Sequence, residues 1–159
     1  MSETFSTYSI PQIFIKGAPL ILIALGLSVG FKANVWNIGA EGQYIMGAIF
    51  GASFALSLYP LESIFIFPTM VLMGILGGTL WSMIPALLKV KFNVNEILVS
   101  LMLVYVAEQI LALASLGFLR NPDGAGFPGS RNLSQYPSAS NAELITGTGI
   151  HLGVLLSLM

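Results

Sequence analysis

Residues 64–88 read IFIFPTMVLMGILGGTLWSMIPALL, a run of 25 residues without a charged side chain, and Lys89-Val90-Lys91 follows directly. At about 1.5 Å per helical residue such a run is long enough to cross the roughly 30 Å of hydrocarbon in a bilayer. The lysines then mark a return to water. Pro68 and Pro85 fall inside or near the end of this run and would kink it unless neighbouring groups satisfy the freed carbonyls.

Three further apolar blocks flank it. The first, from about Ile10 to Phe31, carries Lys16 and Pro19 early and then Leu20-Ile21-Leu22-Ile23-Ala24-Leu25, a length that fits one crossing. The mostly polar residues before it, the late Lys16 and the lack of a small-residue cleavage site argue against a cleavable leader. The second, from about Asn37 to Tyr59, opens with polar residues and glycines, becomes uniformly apolar at Ile45, and ends in the turn Tyr59-Pro60-Leu61-Glu62. The fourth, from Asn95 to Leu119, carries Glu108 and Gln109 inside an otherwise apolar helix. Residues 120–149 open with Asn121-Pro122-Asp123-Gly124 and stay rich in Gly, Pro, Ser and Asn, which predicts a long aqueous loop. After His151 the chain turns apolar again, as at the start of a fifth helix that stops short of a full crossing. The fold class expected is all-α: a polytopic helix bundle of about four membrane segments plus the start of a fifth, with one long external loop.

Composition agrees with lipid as the solvent: 55% of the 159 residues are hydrophobic and 8% are charged, against about 25% charged in soluble domains. The net charge of −1, with no basic stripe, gives no footing for nucleic acid. The absence of cysteine excludes disulfides, thiolate catalysis and Cys-based zinc sites. His151 is the only histidine, so no metal site is expected, and no nucleophile elbow, phosphate loop or dinucleotide fingerprint occurs. No cofactor is expected, and if ATP drives this protein another chain binds it. Alternating crossings place Lys32, Lys89 and Lys91 on one side, expected to be cytoplasmic; Lys16, Arg120 and Arg131 balance them opposite, the latter two in or beside the long loop, where the positive-inside rule loses force.

Glycines recur at four-residue spacing in three blocks: Gly26 with Gly30, Gly47 with Gly51, and Gly74 with Gly78. Each pair lies on one helix face and lets backbones approach closely, a main source of helix affinity in lipid, although glycine is common in membrane helices anyway. Together they favour a tightly packed bundle.

Polar chemistry concentrates in Asn37-Ile38-Gly39-Ala40-Glu41-Gly42-Gln43, where three polar side chains and two glycines interrupt the start of a membrane helix. Two readings stand open. The segment is either a broken helix start whose amides and side chains meet a polar solute, or a turn and cap with Glu41 placed for the helix dipole. Asn95 followed by Glu96 is good helix-start chemistry. Glu108 lies about a dozen residues into its block and is expected to face a cavity or a partner, or to approach the outer interface.

The run Asn37 to Gln43, followed by Gly47-Ala48, resembles a hallmark of the ABC permeases for nucleosides and simple sugars, relatives of the branched-chain amino acid and ribose-type inner-membrane translocators. The resemblance continues through Trp81, Pro85 and Leu87-Leu88-Lys89, then Asn95-Glu96-Ile97 with Ser100-Leu101-Met102-Leu103, then Gly126-Phe127-Pro128 with Ser130, over roughly residues 17–131. One departure is Val104, where many members place Asn. The resemblance implies that residues 1–159 are a partial transmembrane permease domain, truncated at both ends, in the bacterial plasma membrane. Its implied partners are a second permease subunit, a cytoplasmic ABC ATPase and an extracytoplasmic substrate-binding lipoprotein. It shifts Asn37, Gly39, Glu41, Gly42 and Gln43 toward the solute pathway, and makes Asn95, Glu96 and Glu108 candidates for gate or helix-start support. Two competing functions remain from the residues alone. A scaffold subunit would satisfy the glycine pairs but has no use for the polar break, and an intramembrane enzyme would need acids more convergent than Glu41, Glu96 and Glu108.

Overall fold

The computed structural model describes residues 9–121, 129–130, 133, 136–140 and 154. The chain divides into two units, one of residues 1–34 with 141–159, the other of residues 35–140.

In the first unit, α1 (Ser9–Lys32) is a 24-residue helix with Pro19 inside it. Proline has no N–H to offer the Ile15 carbonyl four residues back, so the ladder loses one bond there. The helix closes with Ala33 N–H donating to Val29 O and Gly30 O at 3.2 and 3.0 Å. Asn34 follows at φ 57°, in the left-handed region that Asn tolerates after a helix end.

The second unit contains α2 (Ala40–Ser57), α3 (Ile66–Phe92) and α4 (Glu96–Leu116), followed by a 3₁₀ turn at Pro137–Ala139. The register between α2 and α3 is written in their glycines. A Cβ on Gly47 would meet Gly74 O at 2.9 Å, one on Gly78 would meet Gln43 O at 3.2 Å, and one on Gly51 would meet Met70 O at 3.2 Å. As numbers rise in α2 they fall in α3, so the two helices are antiparallel, backbone against backbone. Against α4 the numbers rise together: Gly39 faces Ser100, and Gly42 faces Leu103 and Val104. One end of the unit therefore gathers the start of α2, the end of α3 and the start of α4.

The packing is that of a protein in lipid. Many buried positions are small or medium, among them Ala55, Ala107, Ala114, Val104 and Ser100, while Leu72, Ile75, Leu98, Leu113 and Phe118 are exposed. A water-soluble bundle would bury such residues; helices in lipid gain nothing by it and associate through close contact instead. Among the described residues, three helices are long and apolar enough to cross a membrane: α1 over Pro11–Lys32, α3 and α4. The remaining expected crossing, the second block, is α2, which is 18 residues long, about 27 Å, with Glu41 and Gln43 in its opening turn. It falls outside that set because the polar break takes up the start of the block. At the other boundary α3 runs past Lys89 and Lys91 to Phe92, so the basic stretch read as a return to water is the last helical turn, where lysines complement the helix dipole.

The opposite end of the unit holds the turn after α2 and part of the segment expected as an aqueous loop. There Arg120 and Ser130 form an antiparallel bridge, and Asn121 N–H donates to Gly129 O at 2.9 Å. Tyr136 and Ala139 are buried with Ala55 and Ile66, the Tyr136 hydroxyl donates to Leu61 O, and its ring meets Tyr59 edge-on at 5.3 Å. Glycine and proline content predicts turns but not whether the turns pack, so the described part of the loop is less aqueous than its composition implies. The expected start of a fifth helix, Val154 apart, and most of residues 122–149 lie outside the described residues.

Candidate functional site

The polar residues singled out in the sequence meet at the end where α2 starts, α3 finishes and α4 starts. The local chemistry dictates each turn. Asn93, at φ 52°, closes α3 with its N–H on Lys89 O at 2.9 Å. Asn95 opens α4 two residues later, its Oδ1 accepting from Ile97 N–H at 3.0 Å. Glu96 in the first turn of α4 pairs with Lys89 in the last turn of α3, each also placed favourably on its own helix dipole.

Onto this corner the stretch before α2 is laid. Asn37 Oδ1 accepts the Gly39 N–H at 2.9 Å, an Asx turn that stands in for a helix cap. Ile38 N–H donates to Ser100 Oγ at 3.2 Å, and Ser100 Oγ donates in turn to Ile97 O at 3.1 Å. Trp36 N–H reaches Glu96 Oε1 at 3.5 Å. Glu96 and Ser100, one turn apart on α4, thus take up backbone N–H groups that precede the helix and have no intrahelical acceptor. A cavity of about 50 Å³ remains among these groups, lined by Asn37, Ser82, Lys89, Glu96 and Ser100 with neighbouring apolar atoms.

The glycines set how closely α2 approaches α4. A Cβ on Gly39 would lie 2.8 Å from Ser100 O, and one on Gly42 would lie 3.2 Å from both the Val104 Cα and the Trp81 Nε1. The Trp81 indole N–H is buried and lacks a hydrogen-bond partner among the described residues. Of the residues picked from sequence, Asn37, Gly39, Asn95 and Glu96 are brought together here, and Gly42 packs one turn deeper. Glu41 is exposed, Gln43 is half-buried, and Glu108 is exposed three turns along α4 from Glu96. Gly47, Gly51, Gly74 and Gly78 line the α2–α3 contact, whereas a Cβ on Gly26 would meet nothing within 4 Å. Gly30, its partner in α1, is half-buried.

Sequence reading passed over Ser100, Lys89 and Trp81 as site residues. The i, i+4 spacing of Glu96 and Ser100 was available as a signal, but the partner of Ser100 lies 62 positions away. Among the described residues, no three His, Cys, Asp or Glu side chains converge on a metal position.

Residues 9–158 match the family of branched-chain amino acid transport system permease components. The chain is 35% identical over 129 residues to the glucose ABC transporter permease protein TsgB13 of Haloferax volcanii, covering 81% of this chain and 33% of that protein. It is 33% identical over 106 residues to the nucleoside ABC transporter permease protein NupB of Lactococcus lactis, covering 67% of this chain and 29% of that protein. With the guanosine ABC transporter permease protein NupP of Bacillus subtilis it shares 32% identity over 89 residues, 56% of this chain and 25% of that protein. The chain thus spans a third or less of the length of these relatives. No solved structure matches it significantly. A family match over nearly the whole chain, in which three of the described helices are long and apolar enough to cross a membrane, makes this chain a member of the branched-chain amino acid transport system permease family.

Proposed function

We propose that the chain belongs to the membrane-spanning permease subunit of an ATP-driven ABC importer and forms part of the path for nucleosides or simple sugars. The observation that carries this is the match to three permeases named for glucose, nucleoside and guanosine transport. The protein catalyses no covalent reaction of its own; a separate cytoplasmic ATPase supplies the energy, a second permease subunit completes the path, and an extracytoplasmic lipoprotein delivers the solute. The protein resides in the plasma membrane with the Lys89 end of the bundle inside, α2 counted as a crossing, residues 120–149 outside and a fifth helix beginning after His151.

Within that subunit Asn37, Gly39, Gly42 and Gln43 form a broken helix start bordering the path, with Glu41 as an exposed polar contact. Asn95 and Glu96 hold the cytoplasmic corner against which that start is seated. The Lys89 and Glu96 pairing supports this reading, because it ties the end of α3 to the start of α4 beside the irregular backbone that precedes α2. The test is uptake of labelled guanosine and glucose by proteoliposomes holding the complete permease pair, ATPase and binding protein. ATP-dependent accumulation of either solute is expected, and accumulation of neither would sink the proposal. Glu41→Ala should lower the uptake rate at least fivefold while leaving insertion intact; loss of insertion with uptake would assign Glu41 to helix capping.

A further inference from the structure

Glu108 and Gln109 take no part in the corner described above. They are the thirteenth and fourteenth residues of the 21-residue α4, about 18 and about 20 Å along an axis of about 31 Å, and therefore lie near the middle of the span. Both are exposed, and among the described residues neither side chain has a hydrogen bond or an ion pair. Lipid penalises an ionisable group or an unpaired amide at that depth, so the face that carries them meets water or a polar partner.

The spacing along α4 indicates what kind of partner. Leu98, Met102, Tyr105, Gln109, Ala112 and Leu116 follow one another at alternating intervals of four and three residues, the repeat of a helix-pairing seam. All six are exposed. The buried residues of α4, Ser100, Val104, Ala107 and Ala114, lie on the opposite side, where α4 packs on α2. One face of the helix is thus already packed, and the other carries a seven-residue pattern that the bundle leaves unused. In heptad letters Tyr105 and Ala112 stand at d, Met102 and Gln109 at a, and Glu108 at the flanking g position.

We propose that this stripe is the contact with a second copy of the chain, α4 against α4 about a two-fold axis along the membrane normal. Two copies inserted the same way run these helices parallel, and in a parallel pair a residue at an a position sits among the d, g, a and d residues that face it. Gln109 of one copy then sits among Tyr105, Glu108, Gln109 and Ala112 of the other. Its amide N–H donates to the facing Glu108 carboxylate, an acceptor-only group, and the axis repeats the bond in the other direction. Ala112 is small enough to let the two backbones close at this level. An unrelated helix would satisfy these groups only by carrying its own donor and acceptor at the same depth, whereas a copy supplies both by symmetry. The inference rests on the transport reading only for the need of a second permease subunit; it adds that this subunit is another copy and names the surface that joins them.

The chain has no cysteine, so single cysteines can be placed along residues 98–116 and oxidised in membranes that hold the full chain. The yield of disulfide-linked dimer should peak at positions 98, 102, 105, 109, 112 and 116 and fall at 103 and 110, on the packed side. Energy transfer between two labelled copies in lipid vesicles then measures the strength of pairing. Gln109→Leu should raise the dissociation constant about tenfold, as expected for losing two interhelical hydrogen bonds in lipid. Glu108→Leu should do the same, and the double variant should lose no more than either alone, because each substitution removes the other group's partner. Insertion should be unchanged in all three, since neither side chain touches its own bundle. A dimer yield without the seven-residue pattern, or a dissociation constant unmoved in both single variants, would overturn the inference. Absence of any dimer, with cysteines at 108 and 109 open to a water-soluble thiol reagent, would overturn it in favour of a face lining the solute path. Uptake by a transporter that forms no such homodimer would strike this inference and leave the transport reading standing; a cross-linked homodimer in a transporter that carries neither guanosine nor glucose would do the reverse.

Discussion

At the scale of single residues, the structure separates glycines that look alike in sequence. Gly47 meets a carbonyl where its Cβ would be, at 2.9 Å, and Gly26 meets open space. Gly47→Ala should therefore destabilise the chain in detergent by about 1–3 kcal/mol, the usual range for forcing atoms into a closed contact. Gly26→Ala should be neutral or gain up to about 1 kcal/mol from helix propensity. Thermal unfolding of the two variants side by side checks the contrast, and equal losses would contradict it. The orphaned Trp81 N–H makes a second case. The Trp81 Nε1 and the Val104 Cα both lie 3.2 Å from where a Cβ on Gly42 would be. An amide at position 104 can supply the missing acceptor, so Val104→Asn should cost less than about 1 kcal/mol, where an unpartnered buried amide costs about 1–3 kcal/mol. A shift in Trp81 emission measured in a Trp36→Phe background reports whether the bond forms; an unchanged spectrum with a large stability loss would refute it. Sequence could show that glycines recur on a face, since spacing is a local property. Which of those faces meets another backbone depends on the register between helices, and no single block contains that information.

At the scale of elements, the local signals were legible. Asn95 caps α4 as its position before an apolar run implies, and the observed α1, Ser9–Lys32, lies within a residue of the apolar block that announced it. What could not be read was everything made by groups distant in sequence. The tie from Ile38 to Ser100 is one example, and the seating of Tyr136 on the turn after α2 is another, 75 positions apart. Tyr136 also carries a measurable signature. Burial pushes its phenol above the ordinary tyrosine value of 10.0, with the Glu62 carboxylate and Tyr59 adding to it. The neutral form is thus favoured in the folded state, which keeps its proton to higher pH than the unfolded chain does. The stability this packing contributes is fully present below the ordinary value and is lost as pH rises through the raised one. A tyrosinate absorbance titration should show one late component that disappears in Tyr136→Phe; a titration that the substitution leaves unchanged would dissociate Tyr136 from this end of the bundle.

At the scale of the whole molecule, the antiparallel course of α2 and α3 and the parallel course of α2 and α4 fix which connections share an end. The Lys89 corner and the start of α2 lie at one end, and Glu62 and Tyr136 at the other. The chain has no cysteine, so single cysteines introduced at Lys91 and Glu62 can be labelled without background. With the basic end inside, an impermeant thiol reagent should reach position 62 in intact cells and position 91 only after permeabilisation; the reverse pattern would invert the orientation. Membrane residence was plain from composition, because the excess of apolar residues is a global quantity. The shortness of α2 was not, since a block that begins with Asn37 and ends with Tyr59 looks long enough until its first residues are spent on an irregular turn.

The backbone seam between α2 and α3 has a thermal consequence. Its contacts are glycine Cα atoms against carbonyl oxygens at Gly47 and Gly74, Gln43 and Gly78, and Met70 and Gly51. Apolar surface removed from water is what gives folding its large heat capacity and makes it weaken on cooling, and a seam that forms inside lipid removes none. The hairpin is therefore expected to melt on heating without a cold limb, its cohesion changing almost linearly with temperature down to the freezing of the lipid chains.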